Sequence, residues 1–163
     1  MEVRTAKKAD IDIIMEIYEN AKQIMIADGN PTQWNSSYPS RELIEEDVKK
    51  QQSYVLVEQG EVVGVFAFII GEEPTYQYIE DGEWILDIKY GTIHRLASGS
   101  KVRGIAKTCF DFCKEAIPHL RIDTHPDNKI MQRCIYANGF EKCGIIYVAD
   151  GSKRYAYEYI AEQ

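Results

Sequence analysis

The sequence predicts a single α/β domain, built on a mixed, mostly antiparallel sheet of about seven strands that is flanked by about four helices. Three observations indicate this fold class. The 163 residues suit one domain with a core of its own. Apolar residues alternate between helical and strand spacing through the middle of the chain. Hairpin signals stand before and after that part, and hairpins add antiparallel strands to a sheet.

Local patterns define the elements of the N-terminal half. Apolar residues from Ile11 to Met25 recur at helical spacing and are followed by a Gly-Asn-Pro stop. Ser40 is a suitable cap for a second helix, and Gly60 lies between two runs rich in β-branched residues. The expected elements are a strand at residues 2–5, helices from about residue 8 to 28 and at 41–52, and strands at 54–58 and 62–70.

The C-terminal half alternates strands with helices. Gly139 suits the end of a helix, and Asp150-Gly151 is a hairpin signal. The expected elements are strands at 91–97, 120–124, 140–148 and 154–160, with helices at 103–116 and 128–138. Residues 72–90 are rich in Tyr and Trp but not periodic, so a loop beside a substrate entrance and a mixed surface segment are both open.

The composition limits the kind of partner. The chain is 45% hydrophobic and 28% charged, as in folded globular proteins, and its net charge of -7 argues against a broad nucleic-acid surface. No apolar run approaches the roughly 20 residues of a membrane span, and Met-Glu-Val-Arg at the start lacks a signal-peptide pattern. We therefore expect a cytoplasmic protein. The cysteines Cys109 and Cys113 predict a reduced, partly buried pair, and no metal site is expected.

A turn of small residues precedes the third helix and suits an anion. The first backbone N–H groups of a helix have no partner within the helix, and the helix dipole favours negative charge there. Gly104 and Ala106 leave the backbone open to a ligand, and Lys101, Arg103 and Lys107 add positive charge. An ordinary joint between a strand and a helix would have the same composition.

Two motifs carry a family resemblance. Lys101-Val102-Arg103-Gly104-Ile105-Ala106 resembles the (Gln/Arg)-x-x-Gly-x-(Gly/Ala) signature with which GNAT-type N-acetyltransferases hold the pyrophosphate of acetyl-CoA. Residues 128–140, Asn-Lys-Ile-Met-Gln-Arg-Cys-Ile-Tyr-Ala-Asn-Gly-Phe, resemble the second motif of that family. The motifs occur in the family's order, and the resemblance spans nearly the whole chain. Lys101 in place of Gln or Arg and the short turn before it are departures.

The resemblance implies the splayed GNAT-like sheet, acetyl-CoA as cosubstrate and an amine of a small molecule or peptide as acceptor. Backbone groups of β-strand and helix would hold acetyl-CoA, and Asn128 would touch its pantetheine arm. The implied cosubstrate-binding residues are Leu96, Ala97, Ser98, Lys101, Val102, Arg103, Gly104, Ile105, Ala106 and Asn128.

His94 is the preferred catalytic base. Strand alternation places it on one face with Thr92 and Leu96, and histidine titrates closest to neutral pH. His-x-Leu-Ala resembles the arylalkylamine branch of the GNAT family, in which a histidine here assists amine deprotonation. A hydrogen-bonded core histidine is the alternative. His125 follows a strand end and is a second candidate, which only the resemblance ranks lower.

Three further residues are candidates for the acceptor site. Asp123, near a strand end, could orient an imidazole or hold an ammonium, or it could pair with Arg121 or Arg95. Trp34 and Tyr38 lie in the loop between the first two helices, which commonly overlies the acceptor in GNAT proteins. Trp34 could equally fill the space between the helices.

A departure concerns the general acid. The resemblance implies a tyrosine four residues before the Gly of Gly-Phe, but Ile135 stands there. Tyr136 is turned about 100° around the helix, so the role is not transferred to it. Either the thiolate leaves without a protein acid or another group serves. A CoA-binding regulatory or interaction protein of the same fold is therefore the alternative function, and a homodimer is compatible with either.

Overall fold

The computed structural model describes residues 1–99 and 102–162. Its strands are β1 (Glu2–Thr5), β2 (Ser53–Glu58), β3 (Glu61–Ile70), β4 (Gly91–Ser98), β5 (His119–Thr124), β6 (Glu141–Tyr147) and β7 (Lys153–Ile160). Its helices are α1 (Ile11–Ala27), α2 (Arg41–Lys49), α3 (Ile105–Ala116) and α4 (Lys129–Ala137). The strands form one sheet in the order β1-β2-β3-β4-β5-β7-β6, in which only the β4–β5 pair is parallel. The predicted fold class is confirmed.

Helices cover both faces of the sheet. One face packs residues such as Val55, Val65 and Ala97 against α1 and α2. The other face packs Phe66 and Leu120, among others, against α3 and α4. Within the described part of the chain, the helices are all too short or too polar to cross a membrane. The two clusters hold the sheet from opposite sides, so that a site opening through the sheet has rigid walls.

The two central strands β4 and β5 separate almost as soon as they have paired. Among the described residues, they pair only at Gly91 with Leu120 and at Thr92 with Arg121. Further along both strands, backbone groups face a gap in the sheet. Such groups must find other partners when water is excluded, so the gap is a ready site for a ligand with amide groups.

A bulge in β4 changes which side chains face the gap. Val65 pairs with Ala97, but Ala67 pairs with His94, so β4 has one residue more than β3 over this stretch. Arg95, inside the bulge, has a φ of 52°, in the left-handed region that few residues other than glycine adopt.

The bulge makes one expectation wrong. Leu96 does not share a face with His94, because the extra residue interrupts the alternation on which that expectation depended. Leu96 packs against the α3 side of the sheet, whereas Arg95 reaches Asp47 of α2.

The helix bounds differ from the predicted ones for local reasons. Helix α3 begins at Ile105, two residues later than expected, because Gly104 adopts a φ of 86° and cannot continue into the helix. Helix α2 ends at Lys49, and Ser40 caps it as predicted by accepting a hydrogen bond from the Leu43 N–H. Residues 72–90 are irregular apart from a 3-10 turn, Pro74–Tyr76, and an antiparallel bridge between Glu80 and Ile145.

Residues 72–90 are fastened to the sheet by one buried carboxylate. Glu158 of β7 accepts hydrogen bonds from the Ile85 N–H (2.7 Å) and from Arg121 Nε (3.1 Å), and lies 2.7 Å from His119 Nε2. The Arg121 guanidinium also lies over the Trp84 ring, 4.1 Å from its centroid. Tyr76 and Tyr90 are therefore buried, whereas Tyr78 is 64% exposed, so the segment has both an inner and a surface side.

We expect Glu158→Gln to destabilise the protein by about 3–5 kcal/mol, because it leaves the buried Arg121 without its counter-charge. Glu141→Gln is the matched control, since Glu141 pairs with Glu158 across β6 and β7 but is exposed. It should change stability by less than about 0.5 kcal/mol. Urea unfolding measures both variants. Equal midpoints would contradict the role of Glu158.

Candidate active site

A cavity of about 540 Å³ opens where β4 and β5 diverge. The α1–α2 loop, helix α2, the segment after β3, the β6–β7 hairpin and the start of α4 form its walls. Of the predicted site residues, His94, Leu96, Asp123, Trp34, Tyr38 and Asn128 line it. The sheet therefore brings together side chains that are widely separated in sequence.

The His94 imidazole lies inside this cavity with 18% of its side chain exposed. Burial and the adjacent Arg95 charge lower its pKa to about 3. His94 is therefore neutral at physiological pH, with one ring nitrogen that carries no proton. Its Nε2 lies 3.8 Å from Glu73 Oε1, which is longer than a hydrogen bond but within reach of one bridging water.

Glu73 is a cavity carboxylate that the sequence did not single out. Its pKa is raised, chiefly by burial and also by the nearby Asp123 charge. The Tyr90 hydroxyl accepts a hydrogen bond from the Glu73 backbone N–H at 2.8 Å, which holds the residue in position. Two glutamates before a proline in an aromatic stretch were the available signal, but only tertiary structure turns Glu73 inward.

Asp123 pairs with neither of the arginines proposed from sequence. It accepts a hydrogen bond of 2.6 Å from the hydroxyl of the buried Tyr76, while Arg121 pairs with Glu158 and Arg95 with Asp47. Burial raises the Asp123 pKa, and the Tyr76 hydrogen bond opposes that effect. Asp123 and Glu73 thus form an acidic end of the cavity beside a neutral imidazole.

Trp34 and Tyr38 lie in the α1–α2 loop, and both line the cavity. The Trp34 ring packs edge-on against Tyr18 of α1, with centroids 5.6 Å apart, and it also lines the cavity. The Tyr38 hydroxyl accepts a hydrogen bond from Arg95 Nη1 at 3.1 Å. Because Arg95 also binds Asp47, the bulge in β4 ties α2 and the α1–α2 loop to the rim of the gap.

The described residues among those expected to hold acetyl-CoA lie at the end of β4, around the start of α3 and at the N-cap of α4. Ala97 and Ile105 are buried in the core, so only their backbone groups are available to a ligand. Val102 and Ala106 pack partly against the core, Ser98 ends β4 opposite Gly64, and Arg103 and Gly104 are exposed. Lys101 lies outside the described residues.

The start of α3 suits an anionic group. Hydrogen bonding inside the helix begins with the Thr108 N–H, which donates to the Gly104 carbonyl at 2.9 Å. A Cβ atom added at Gly104 would meet nothing within 4 Å, so there is room above the turn. At the other end of the gap, the buried Thr124 hydroxyl has no hydrogen-bond partner among the described residues. An acyl-CoA fits both observations.

Asn128 and His125 link the α1–α2 loop to the start of the second sequence motif, residues 128–140. Asn128 Oδ1 caps α4 by accepting from the Met131 N–H, and its Nδ2 donates to Gln33 Oε1 at 3.0 Å. His125 Nε2 lies 3.1 Å from Thr32 Oγ1, and its Nδ1 accepts from the Asp127 N–H. His125 is not among the residues that line the cavity, whereas His94 is.

The side chains at the expected position of the acid point elsewhere. Ile135 is fully buried in the core under α4, and Tyr136 is 78% exposed. Tyr136 is not among the residues that line the cavity.

Comparison with solved structures identifies the family. The chain is 33% identical to an acetyltransferase of the GNAT family from Streptococcus agalactiae 2603, with a TM-score of 0.90 over 99% of this chain and 96% of that chain. The chain belongs to the GNAT family. A GNAT fold implies binding of an acyl-CoA, and the similarity supports an acyl-transfer function.

Two other solved structures are similar over nearly the whole chain. A putative acetyltransferase from Staphylococcus aureus Mu50 is 25% identical, with a TM-score of 0.72 over 99% of this chain and 100% of that one. A GNAT-like decarboxylase in complex with isobutyryl-CoA is 12% identical, with a TM-score of 0.66 over 98% and 99%, and it shares the fold alone. Neither the protein-family models nor the curated proteins contain a match to this chain.

The lowered pKa of His94 makes a prediction about stability. Between about pH 6.5 and pH 3, the unfolded chain binds a proton at His94 that the folded protein does not bind, so stability falls as the pH is lowered through this range. His94→Gln removes this titration. In urea unfolding, we expect the free energy of unfolding of His94→Gln, measured relative to the wild type, to increase steadily as the pH is lowered from 7 to 4. A difference that does not depend on pH would contradict the lowered pKa.

Proposed function

We propose that this GNAT protein is an N-acetyltransferase that moves the acetyl group of acetyl-CoA to a primary amine of a small molecule or peptide by direct attack. The observation that carries the proposal is the neutral His94 imidazole, placed beside Glu73 and Asp123 at the gap between β4 and β5. An amine can be nucleophilic only without its proton, and these groups can hold an ammonium and accept that proton.

In the proposed reaction, the acetyl group moves from the sulfur of CoA to the nitrogen of the amine. The amine nitrogen attacks the thioester carbonyl and forms the new C–N bond, and the C–S bond breaks as the thiolate leaves. His94 accepts the amine proton, directly or through water, and Glu73 at 3.8 Å is its further acceptor. A thiol pKa near 8.5 allows the thiolate to leave without a strong acid, which agrees with Ile135 at the family's tyrosine position.

The proposed acetyl-CoA site follows the exit of the gap. The end of β4, Leu96, Ala97 and Ser98, offers backbone groups to the pantetheine amides, and the start of α3 receives the pyrophosphate. Lys101, Val102, Arg103, Gly104, Ile105 and Ala106 belong to that second part, and Asn128 borders the pantetheine arm. Trp34, Tyr38 and Asp123 form walls of the acceptor chamber.

A charge at position 104 tests the pyrophosphate site. We expect Gly104→Glu to bind acetyl-CoA at least about tenfold more weakly than Gly104→Gln, because two like charges within a few ångströms repel by more than 1 kcal/mol. The two variants share the size of the side chain and the strain of a left-handed backbone, so their difference isolates the charge.

Gly60→Glu controls for that strain at a remote turn, since Gly60 has a φ of 79° and open space around it. Calorimetry measures all three affinities. Equal affinity of Gly104→Glu and Gly104→Gln would move the pyrophosphate away from the start of α3.

The pH dependence of turnover tests the role of His94. Because its pKa is about 3, the rate should rise with pH according to the pKa of the acceptor amine, and the inflection should move when the acceptor is changed. His94→Gln should lower kcat about 10²–10⁴-fold and leave acetyl-CoA affinity unchanged. An inflection near pH 6.5 that is common to all acceptors and absent in His94→Gln would contradict the lowered pKa.

The second candidate is a CoA-binding regulatory or interaction protein without turnover, which Ile135 at the family's acid position favours. Release of the CoA thiol, followed against a panel of amines and peptides, distinguishes the two functions. Acetylated product supports the enzyme, and tight acetyl-CoA binding without product on any acceptor supports the second candidate. A homodimer stays a prediction for either function.

A further inference from the structure

Arg154 is a buried cation in the wall of the acceptor chamber. Only 5% of the residue is exposed, although it lies near the start of β7 beside a surface hairpin. Its guanidinium donates to Ser152 Oγ at 2.8 Å, to the Lys153 carbonyl at 3.0 Å and to the Gln33 carbonyl at 2.8 Å. All three acceptors are uncharged.

The other arginines near the site bind a carboxylate, whereas the described acceptors of Arg154 are all uncharged. Arg95 binds the Asp47 carboxylate and Arg121 binds the Glu158 carboxylate. Among the residues that the structure describes, none places a carboxylate oxygen within the 4.0 Å of a salt bridge to Arg154. Burial of a charge without a salt-bridge partner is unfavourable, and burial lowers the pKa of Arg154 although the more distant charges of Asp123 and Asp150 oppose this effect. An anionic ligand that accepts hydrogen bonds from the guanidinium would offset this cost.

Arg154 lies close to Asp123 in the sheet, and both residues face the cavity. Asp123 pairs with Ala156 in the sheet, so Arg154, two residues from Ala156, points to the same face as Asp123. Diagonal neighbours of this kind lie about 7–8 Å apart between Cα atoms. Both side chains line the cavity. The chamber therefore has an acidic end, formed by Glu73 and Asp123, and a cationic group on the adjacent strand.

We propose that Arg154 binds a carboxylate of the acceptor, and that the acceptor is a free amino acid or a closely similar zwitterion. This inference rests on the proposed function. Asp123 and Glu73 receive the amino group before it loses its proton, and the remaining donors of the Arg154 guanidinium receive the carboxylate. The two groups of the acceptor must lie close together, as in an amino acid, because Asp123 and Arg154 are on adjacent strands.

Charge and spacing argue against other acceptors. Asp123 and Asp150 both lie near enough to interact electrostatically with Arg154. They favour one negative charge over the two of a phosphate monoester. A peptide has its terminal amine far from its terminal carboxylate, and an arylalkylamine leaves Arg154 without a partner.

The test compares ligands that differ only in the carboxylate. Calorimetry measures the binding of an N-acetyl amino acid and of its carboxamide to the CoA-bound wild-type protein, for a small, an aromatic and an acidic side chain. Both ligands correspond to reaction products and lack a titrating amine, so the comparison needs no turnover. For at least one side chain, we expect the N-acetyl amino acid to bind about 10- to 100-fold more tightly than its carboxamide. This ratio corresponds to the free energy of a hydrogen bond to a charged group.

Two variants separate recognition from structure. In Arg154→Gln the ratio of the two affinities should fall to about 1, whereas a purely structural role would weaken both ligands equally and preserve the ratio. Ser152→Ala removes one hydrogen bond of Arg154 but keeps the guanidinium, so the ratio should be retained. If Arg154→Gln does not fold, the wild-type comparison alone decides.

The outcomes are distinct. Equal or tighter binding of the carboxamides for all side chains would overturn the assignment of Arg154, whether or not amines are acetylated. Failure to acetylate any amine, with a retained preference for carboxylates, would overturn the proposed reaction and leave the anion site in place.

Discussion

The whole arrangement depends on the early separation of β4 and β5. Two residue pairs hold these parallel strands together, and beyond Thr92 the backbone of β4 has no partner in β5 among the described residues. Because an unpaired buried backbone is costly, the gap favours a ligand that carries amide groups of its own. In the proposed reaction, a thioester that enters this gap beside α3 would meet an amine that comes from the α1–α2 side.

The bulge at Arg95 shapes one wall of the cavity at this gap. Its extra residue turns His94 and Arg95 toward the acceptor side, and Arg95 then binds Asp47 and Tyr38. A strained backbone at φ 52° is held by these contacts. Glu158 fastens the opposite wall, the segment that carries Glu73. The polar groups of the site are therefore positioned by two buried ion pairs that are not part of the chemistry.

The elements and the turn before α3 could be predicted because they depend on local patterns. Ser40 caps α2, Gly139 ends α4, and the Gly104 turn precedes α3, each as its residue type indicates. The bulge could not be predicted, since it depends on the register against β3. The alternation of Arg154 and Glu158 on one face of β7 was a visible signal for inward polar residues, but their partners, from Gln33 to Ile85, come from distant loops.

The central claim is that the thioester lies in the gap between β4 and β5, with the amine on the side of His94. A crystal structure with acetyl-CoA and an unreactive acceptor analogue tests it most directly. The account predicts pantetheine amides paired with the backbone of β4 beyond Thr92, the pyrophosphate at the start of α3, and the thioester carbon facing His94 and Glu73. A thioester that lies outside the gap, or an acceptor bound away from His94, would contradict it.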